Sequence, residues 1–95
     1  MSTIVIEVPS VLAATLAGQR RLEVPLPREP TMRGLLDELD VQYPLFGRRV
    51  RDERGDVRRY VNIFIGQDNI IDLEGLESTV HQGHCVLIMQ SVAGG

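Results

Sequence analysis

Ninety-five residues are enough for one modest core and too few for a cofactor domain beside a substrate domain. Hydrophobic residues make up 43% and charged residues 24%, with no low-complexity tract, which excludes a disordered chain. A net charge of −3 argues against nucleic acid or an anionic membrane as the main partner, since both require a basic surface.

The single cysteine, Cys85, permits no internal disulfide, so nothing demands an oxidising compartment and the cytoplasm is expected. The first residues carry no basic stretch and meet Glu7 at once, unlike a secretory signal. No apolar run approaches the roughly 18 residues of a membrane span.

In chain order, Ile4, Ile6 and Val8 alternate with Thr3, Val5 and Glu7, the two-residue period of a strand with one buried face, and Pro9-Ser10 ends it. Val11 to Ala17 reads as a connection with at most one loose turn. Leu22, Val24 and Leu26 alternate in a second strand, where Pro25, lacking a donor, indicates an edge or a strand end. Thr31 stands as N-cap of a helix whose stripe is Met32, Leu35, Leu36, Leu39 and Tyr43, with Arg33, Asp37, Glu38 and Gln42 opposite; Pro44 stops it.

Residues 47–59 read as a long exposed loop with six arginines, at 48, 49, 51, 54, 58 and 59, beside Asp52, Glu53 and Asp56. Such a run is either a basic docking surface or a solvated loop of mixed charge. Tyr60 to Ile65 reads as a central strand, with Val61, Ile63 and Ile65 on one face and Tyr60, Asn62 and Phe64 on the other. Gly66 to Asn69 is a turn, Ile70 to Leu73 a short strand or extended piece, and Glu77 to Val80 a short helical turn. Cys85 to Gln90 is the last strand, and Ser91 to Gly95 a slender tail.

Chemistry-bearing constellations are scarce. His81 and His84 are the soft metal-ligand candidates beside Cys85, but a zinc site needs three or four ligands, and polar turn residues are the simpler reading. No phosphate cradle of the G-x-x-x-x-G-K type can exist in a chain whose ten basic residues are all Arg. The carboxylates are scattered, so no catalytic centre of the chain's own is expected, and no metal. What remains is Gly94-Gly95, two residues without Cβ, which are either a thin arm that can enter a narrow channel or a frayed polar end.

The order strand, strand, helix, strand, short strand, turn, strand is that of the ubiquitin-like β-grasp, an α+β fold whose mixed sheet wraps one main helix. The stretch Tyr60-Val61-Asn62-Ile63-Phe64-Ile65, the turn Gln82-Gly83-His84, the strand Val86-Leu87-Ile88 and the ending Val92-Ala93-Gly94-Gly95 resemble the ThiS/MoaD family of sulfur carriers, in particular its CysO-type members of actinobacterial cysteine synthesis. Family members often carry Asp-Gly-Asp in the turn where this chain has Gln82-Gly83-His84, a change of surface charge.

The resemblance implies a domain over residues 1–90 and a reactive tail over 91–95. It implies that Gly95 is adenylated by a ubiquitin-activating-type adenylyltransferase/sulfurtransferase that uses ATP and Mg²⁺, and then becomes a thiocarboxylate that donates sulfur. The acceptor would be an enzyme such as a cysteine synthase, with a metal-dependent protease as a further partner. The chain itself would hold no cofactor, would be a protein co-substrate and not an enzyme, and would be a monomer when free. Molybdenum cofactor, thiamin and sulfur-containing metabolites are alternative destinations; a protein modifier and an inert β-grasp interaction module are alternative roles.

If Val86 and Ile88 face the core, alternation turns Leu87 and Met89 outward beside Phe64, a partner patch continuing into Val92 and Ala93 and leading to the reactive Gly94 and Gly95, unless the arginine loop folds over it. The absence of lysine is read first as the composition of a GC-rich genome, and alternatively as sparing an activated Gly95 from attack by the chain's own ε-amines.

Overall fold

Two alternating strands open the computed structural model, which describes residues 2–91: β1 (Ser2–Glu7) and β2 (Arg21–Leu26) form an antiparallel hairpin in which Ile4 faces Val24 and Ile6 faces Leu22. The Val8 N–H donates to the Arg20 carbonyl at 2.9 Å. By the alternation of antiparallel pairs, the backbone groups of Leu22 and Val24 therefore face β1, and those of Arg21, Glu23 and Pro25 face the open edge. Pro25 thus loses no ladder bond.

Between these strands, α1 (Ser10–Ala13) and a 3₁₀ turn (Ala14–Leu16) replace the expected loose connection, burying Leu12, Ala13 and Leu16. The turn ends at Ala17 in the left-handed conformation, φ 57° and ψ 32°.

Thr31 caps α2 (Met32–Gln42), its hydroxyl accepting the Gly34 N–H, and Met32, Leu35, Leu36 and Leu39 are buried against the sheet. The helix start is stapled to a distant segment: Met32 N–H donates to Ser78 O and Val80 N–H to Pro30 O, both at 2.8 Å. Pro44 does end α2, but it also opens α3 (Pro44–Val50), where a first-turn proline costs no hydrogen bond. The stretch expected to be wholly exposed therefore begins as a helix that buries Phe46 and Val50.

β3 (Val61–Ile65) pairs with β5 (Cys85–Gln90), and β5 pairs parallel with β1, giving the sheet order β2-β1-β5-β3-β4. The central strand is β5, not the Tyr60 to Ile65 segment. β3 is apolar on both faces because the outward Phe64 lies across from Leu87, not because it occupies the middle.

β4 is only Asp68–Asn69; Ile70–Asp72 winds into a 3₁₀ turn in place of the expected extended piece, with Asn69 Oδ1 accepting the Ile71 N–H at 3.0 Å. The second helical turn is Gly75–Glu77, earlier in the chain than the expected 77–80, and Thr79 instead bridges Thr31. A mixed sheet with its main helix on one face is the α+β ubiquitin-like β-grasp. Among the described residues no helix is long and apolar enough to cross a membrane.

Two stability predictions follow from this packing. Leu36 is 2% exposed in the helix–sheet core, so Leu36→Asp should cost more than about 3 kcal/mol and unfold the domain in denaturant titration. Ala17→Gly should stabilise by about 0.5 kcal/mol, because the left-handed backbone strains a Cβ by more than glycine's extra entropy costs.

Candidate functional site

The centre strand delivers the chain to its last residues. Gln90 pairs with Val61, and Ser91 then donates its N–H to the Tyr60 carbonyl at 2.7 Å, so residue 91 stands at the rim of the sheet beside the start of β3. Val92, Ala93, Gly94 and Gly95, the expected reactive arm, lie outside the described residues.

On β5 the inward Val86 and Ile88 are fully buried, while Leu87 is half-buried and Met89 is 38% exposed. Register places Phe64 opposite Leu87 and Asn62 opposite Met89, so the three expected patch residues share the face turned away from α2. Val5 and Cys85, paired across β1 and β5, extend this face, and Tyr60 joins it beside the tail root. The outward alternation of Val5 was legible in sequence; its pairing with Cys85 was not, because a parallel ladder leaves no turn to set its register.

Cys85 is not a ready nucleophile. Partial burial and the Glu7 carboxylate, with Oε1 3.3 Å from Sγ, hold its thiol above the ordinary range and therefore protonated at neutral pH.

The arginine run divides in two. Arg51 is a buried clamp, 7% exposed, its Nη2 donating to Asp37 Oδ1 at 2.7 Å and to Asp40 Oδ2 at 2.6 Å on α2. Burial would lower its pKa, but the two carboxylates outweigh this and hold the guanidinium above its usual value. Gly47 is required beneath it, since a Cβ there would fall 1.8 Å from Asp40 Oδ1.

Arg58 then closes the segment, its Nε donating to Arg48 O at 2.8 Å and its N–H to Val50 O at 2.9 Å. Tied to α2 and α3 in this way, the segment leaves Met89 accessible and does not fold over the patch.

The turn at Gln82-Gly83-His84 puts Gly83 at φ 95°, where a glycine is favoured. Its histidines form a clasp: Glu29 accepts the Gln82 N–H at 2.8 Å and lies 3.0 Å from His81 Nδ1. His84 meets His81 edge to face. Among the described residues no group of three or more His, Cys, Asp or Glu is placed to hold a metal ion.

A small β-grasp with an apolar sheet face leading to a glycine end has the architecture of a ubiquitin-like carrier. No family model matches the chain. It is similar to sulfur carrier protein CysO of Mycobacterium tuberculosis, with 24% identity over 94 residues, 97% of this chain and 98% of that protein. It is also similar to small archaeal modifier protein 3 of Haloferax volcanii, 27% identical over 81 residues, 84% of this chain and 86% of that one. The crystal structure of M. tuberculosis CysO superposes with a TM-score of 0.82 at 22% identity, covering 94% of this chain and 99% of that one. CysO in the Amycolatopsis orientalis BexX/CysO complex superposes at 0.79 and 22%, covering 97% and 99%. The resemblance to ThiS/MoaD-type carriers, CysO among them, is thereby borne out.

The clasp sets a pH dependence. The Gln82 N–H, then His81, lower the Glu29 pKa, so the carboxylate contributes stability above the ordinary carboxylate range and loses it as pH falls through its depressed folded value. Glu29→Gln should therefore be less stable than the parent at pH 7, and the gap should close as pH falls below the ordinary carboxylate range in paired thermal melts. A gap independent of pH would assign the effect to the hydrogen bond geometry alone.

Proposed function

We propose that the chain is a sulfur carrier that ends at Gly95 and accepts sulfur on that residue. One observation carries the reading: the central strand of the sheet leads to Ser91 at its rim, after which the sequence reads Val92-Ala93-Gly94-Gly95, on a domain similar along nearly its full length to proteins named as sulfur carriers. A carboxylate is a poor acylating agent because oxide would have to leave. Attack of the Gly95 carboxylate on the α-phosphorus of ATP, with loss of pyrophosphate, gives an acyl adenylate whose AMP leaves readily. Hydrosulfide then displaces AMP to give a thiocarboxylate, ionised at neutral pH and more nucleophilic than the carboxylate it replaces.

A ubiquitin-activating-type adenylyltransferase supplies the catalytic groups, ATP and Mg²⁺; this chain supplies the reacting carboxylate and the handle. The handle is Phe64, Leu87 and Met89, with Val92, Ala93 and Gly94 threading the partner's channel. We place the destination in cysteine synthesis in the cytoplasm, as the similarity to proteins named CysO suggests, with a cysteine synthase-type acceptor and a metal-dependent protease as further partners. The similarity to a small archaeal modifier protein favours a second reading, in which the activated glycine forms an isopeptide bond with protein lysines.

Deleting Gly95 should abolish adenylate formation while leaving the unfolding midpoint unchanged. Met89→Asp should weaken binding to the adenylyltransferase by more than about 1 kcal/mol, as loss of an interface anchor does, with little change in stability. Retained sulfur acceptance by the truncated chain would contradict the reading. Ladders of higher-mass conjugates in place of a thiocarboxylate would favour the modifier.

A further inference from the structure

We infer that the activating partner closes on the tail root with carboxylate side chains, which meet arginines on both flanks of β5; this rests on the carrier reading above. Of the ten arginines, Arg21, Arg33, Arg51 and Arg54 are ion-paired, and the other six have no salt bridge to a described carboxylate. Three of those six flank the exit of β5, one on one side and two on the other. Arg58 and Arg59 immediately precede Tyr60, whose carbonyl holds the Ser91 N–H, so they flank the tail root on the β3 side. Arg20, whose carbonyl takes the Val8 N–H, flanks it on the β1–β2 side, in a groove shared with Leu87 and Met89.

In a chain of net charge −3, three arginines without a salt bridge stand around the apolar patch and the exit of its last strand, with Asp52 acting on Arg58 at longer range and Glu7 lining the Arg20 groove. Of these guanidinium groups the fold uses only that of Arg58, whose Nε donates to Arg48 O and leaves its charge without a salt-bridged carboxylate; the buried structural role is filled by Arg51, and the Arg21 guanidinium is occupied by Glu7 at 3.5 Å. Apolar contacts at Leu87 and Met89 supply no long-range orientation. Unpaired charges on either side of the exit do, since rim charges govern association rate and its salt dependence. An acidic rim on the partner would therefore steer residue 91 toward the channel that receives the tail and repel the carrier presented end for end.

The test compares Arg20→Glu, the double variant Arg58→Glu/Arg59→Glu and Arg28→Glu. Arg28 is likewise unpaired among the described residues, but it follows β2 at the opposite end of the sheet, beyond Leu26, which pairs with Ser2. Each variant is titrated in ATP–pyrophosphate exchange with the adenylyltransferase of the same genome that activates the parent chain, after circular dichroism melting confirms folding. The KM for carrier should rise at least about fivefold for Arg20→Glu and for the double variant, with kcat unchanged, and stay within about twofold for Arg28→Glu. Added salt should raise the parent's KM and leave the double variant's nearly flat.

Parental KM in both root variants, or an equal rise in Arg28→Glu, would overturn the inference while leaving the carrier reading intact. Faster activation of the double variant would also overturn it, showing that Arg58 and Arg59 hold the tail's own carboxylate back. Absence of exchange with the parent chain would overturn the carrier reading itself, and the inference with it.

Discussion

The parallel pairing of β1 with β5 is the constraint on which the rest of the molecule depends. Val5 meets Cys85 and Ile6 meets Val86, bringing residues eighty positions apart side by side and making the last strand the middle of the sheet. Val86 is then flanked by Ile6 on one side and Ile65 on the other, and Ile88 by Ile63, all buried under α2. Each such side chain contributes about 1.5–3 kcal/mol on burial, so the core cannot close without β5. The segment that completes the fold is also the one that leads to the glycine end. A chain lacking its final strand would have neither a core nor a presented tail, and such long-range closure makes folding slow relative to a helical protein of this size.

This topology divides the labour between the two faces of β5. Alternation sends Val86 and Ile88 into the core and Leu87 and Met89 to the opposite face, so a substitution's consequence depends on parity alone. The arginines are divided in the same manner. Arg51 lies between Asp37 and Asp40, where desolvation is offset by two charge-assisted bonds, and it fastens the 51–59 segment to α2. Fastened there, the segment ends at Tyr60 beside the tail root, with Arg59 exposed and Arg58 half-buried. One buried ion cluster thus leaves the outward sheet face uncovered.

Much of this was legible beforehand. Period-two alternation located β1, β2, β3 and β5, Thr31 marked the start of α2, and the parity of Leu87 and Met89 followed from strand geometry. What escaped did so for identifiable reasons. Pro44 carries opposite meanings at a helix end and at a helix start, and α3 is too short for its Phe46 and Val50 to display a helical period. Ile70 is buried as a strand residue would be, yet Asn69 bonds the Ile71 N–H and turns the backbone. Arg51 looked like one charge among six because its two carboxylates lie on another element, eleven and fourteen residues earlier. The order of strands could not be read from their sequences, since a strand apolar on both faces suits the centre and a covered flank alike.

The central claim is that Gly95 is the atom-bearing end of a sulfur carrier, and intact mass spectrometry reads it most directly. After incubation with the adenylyltransferase, ATP and a sulfide source, the chain should gain about 16 Da, as sulfur replaces one carboxylate oxygen, with fragmentation placing the change on Gly95. No gain, or a gain that fragmentation places on a residue other than Gly95, would contradict it.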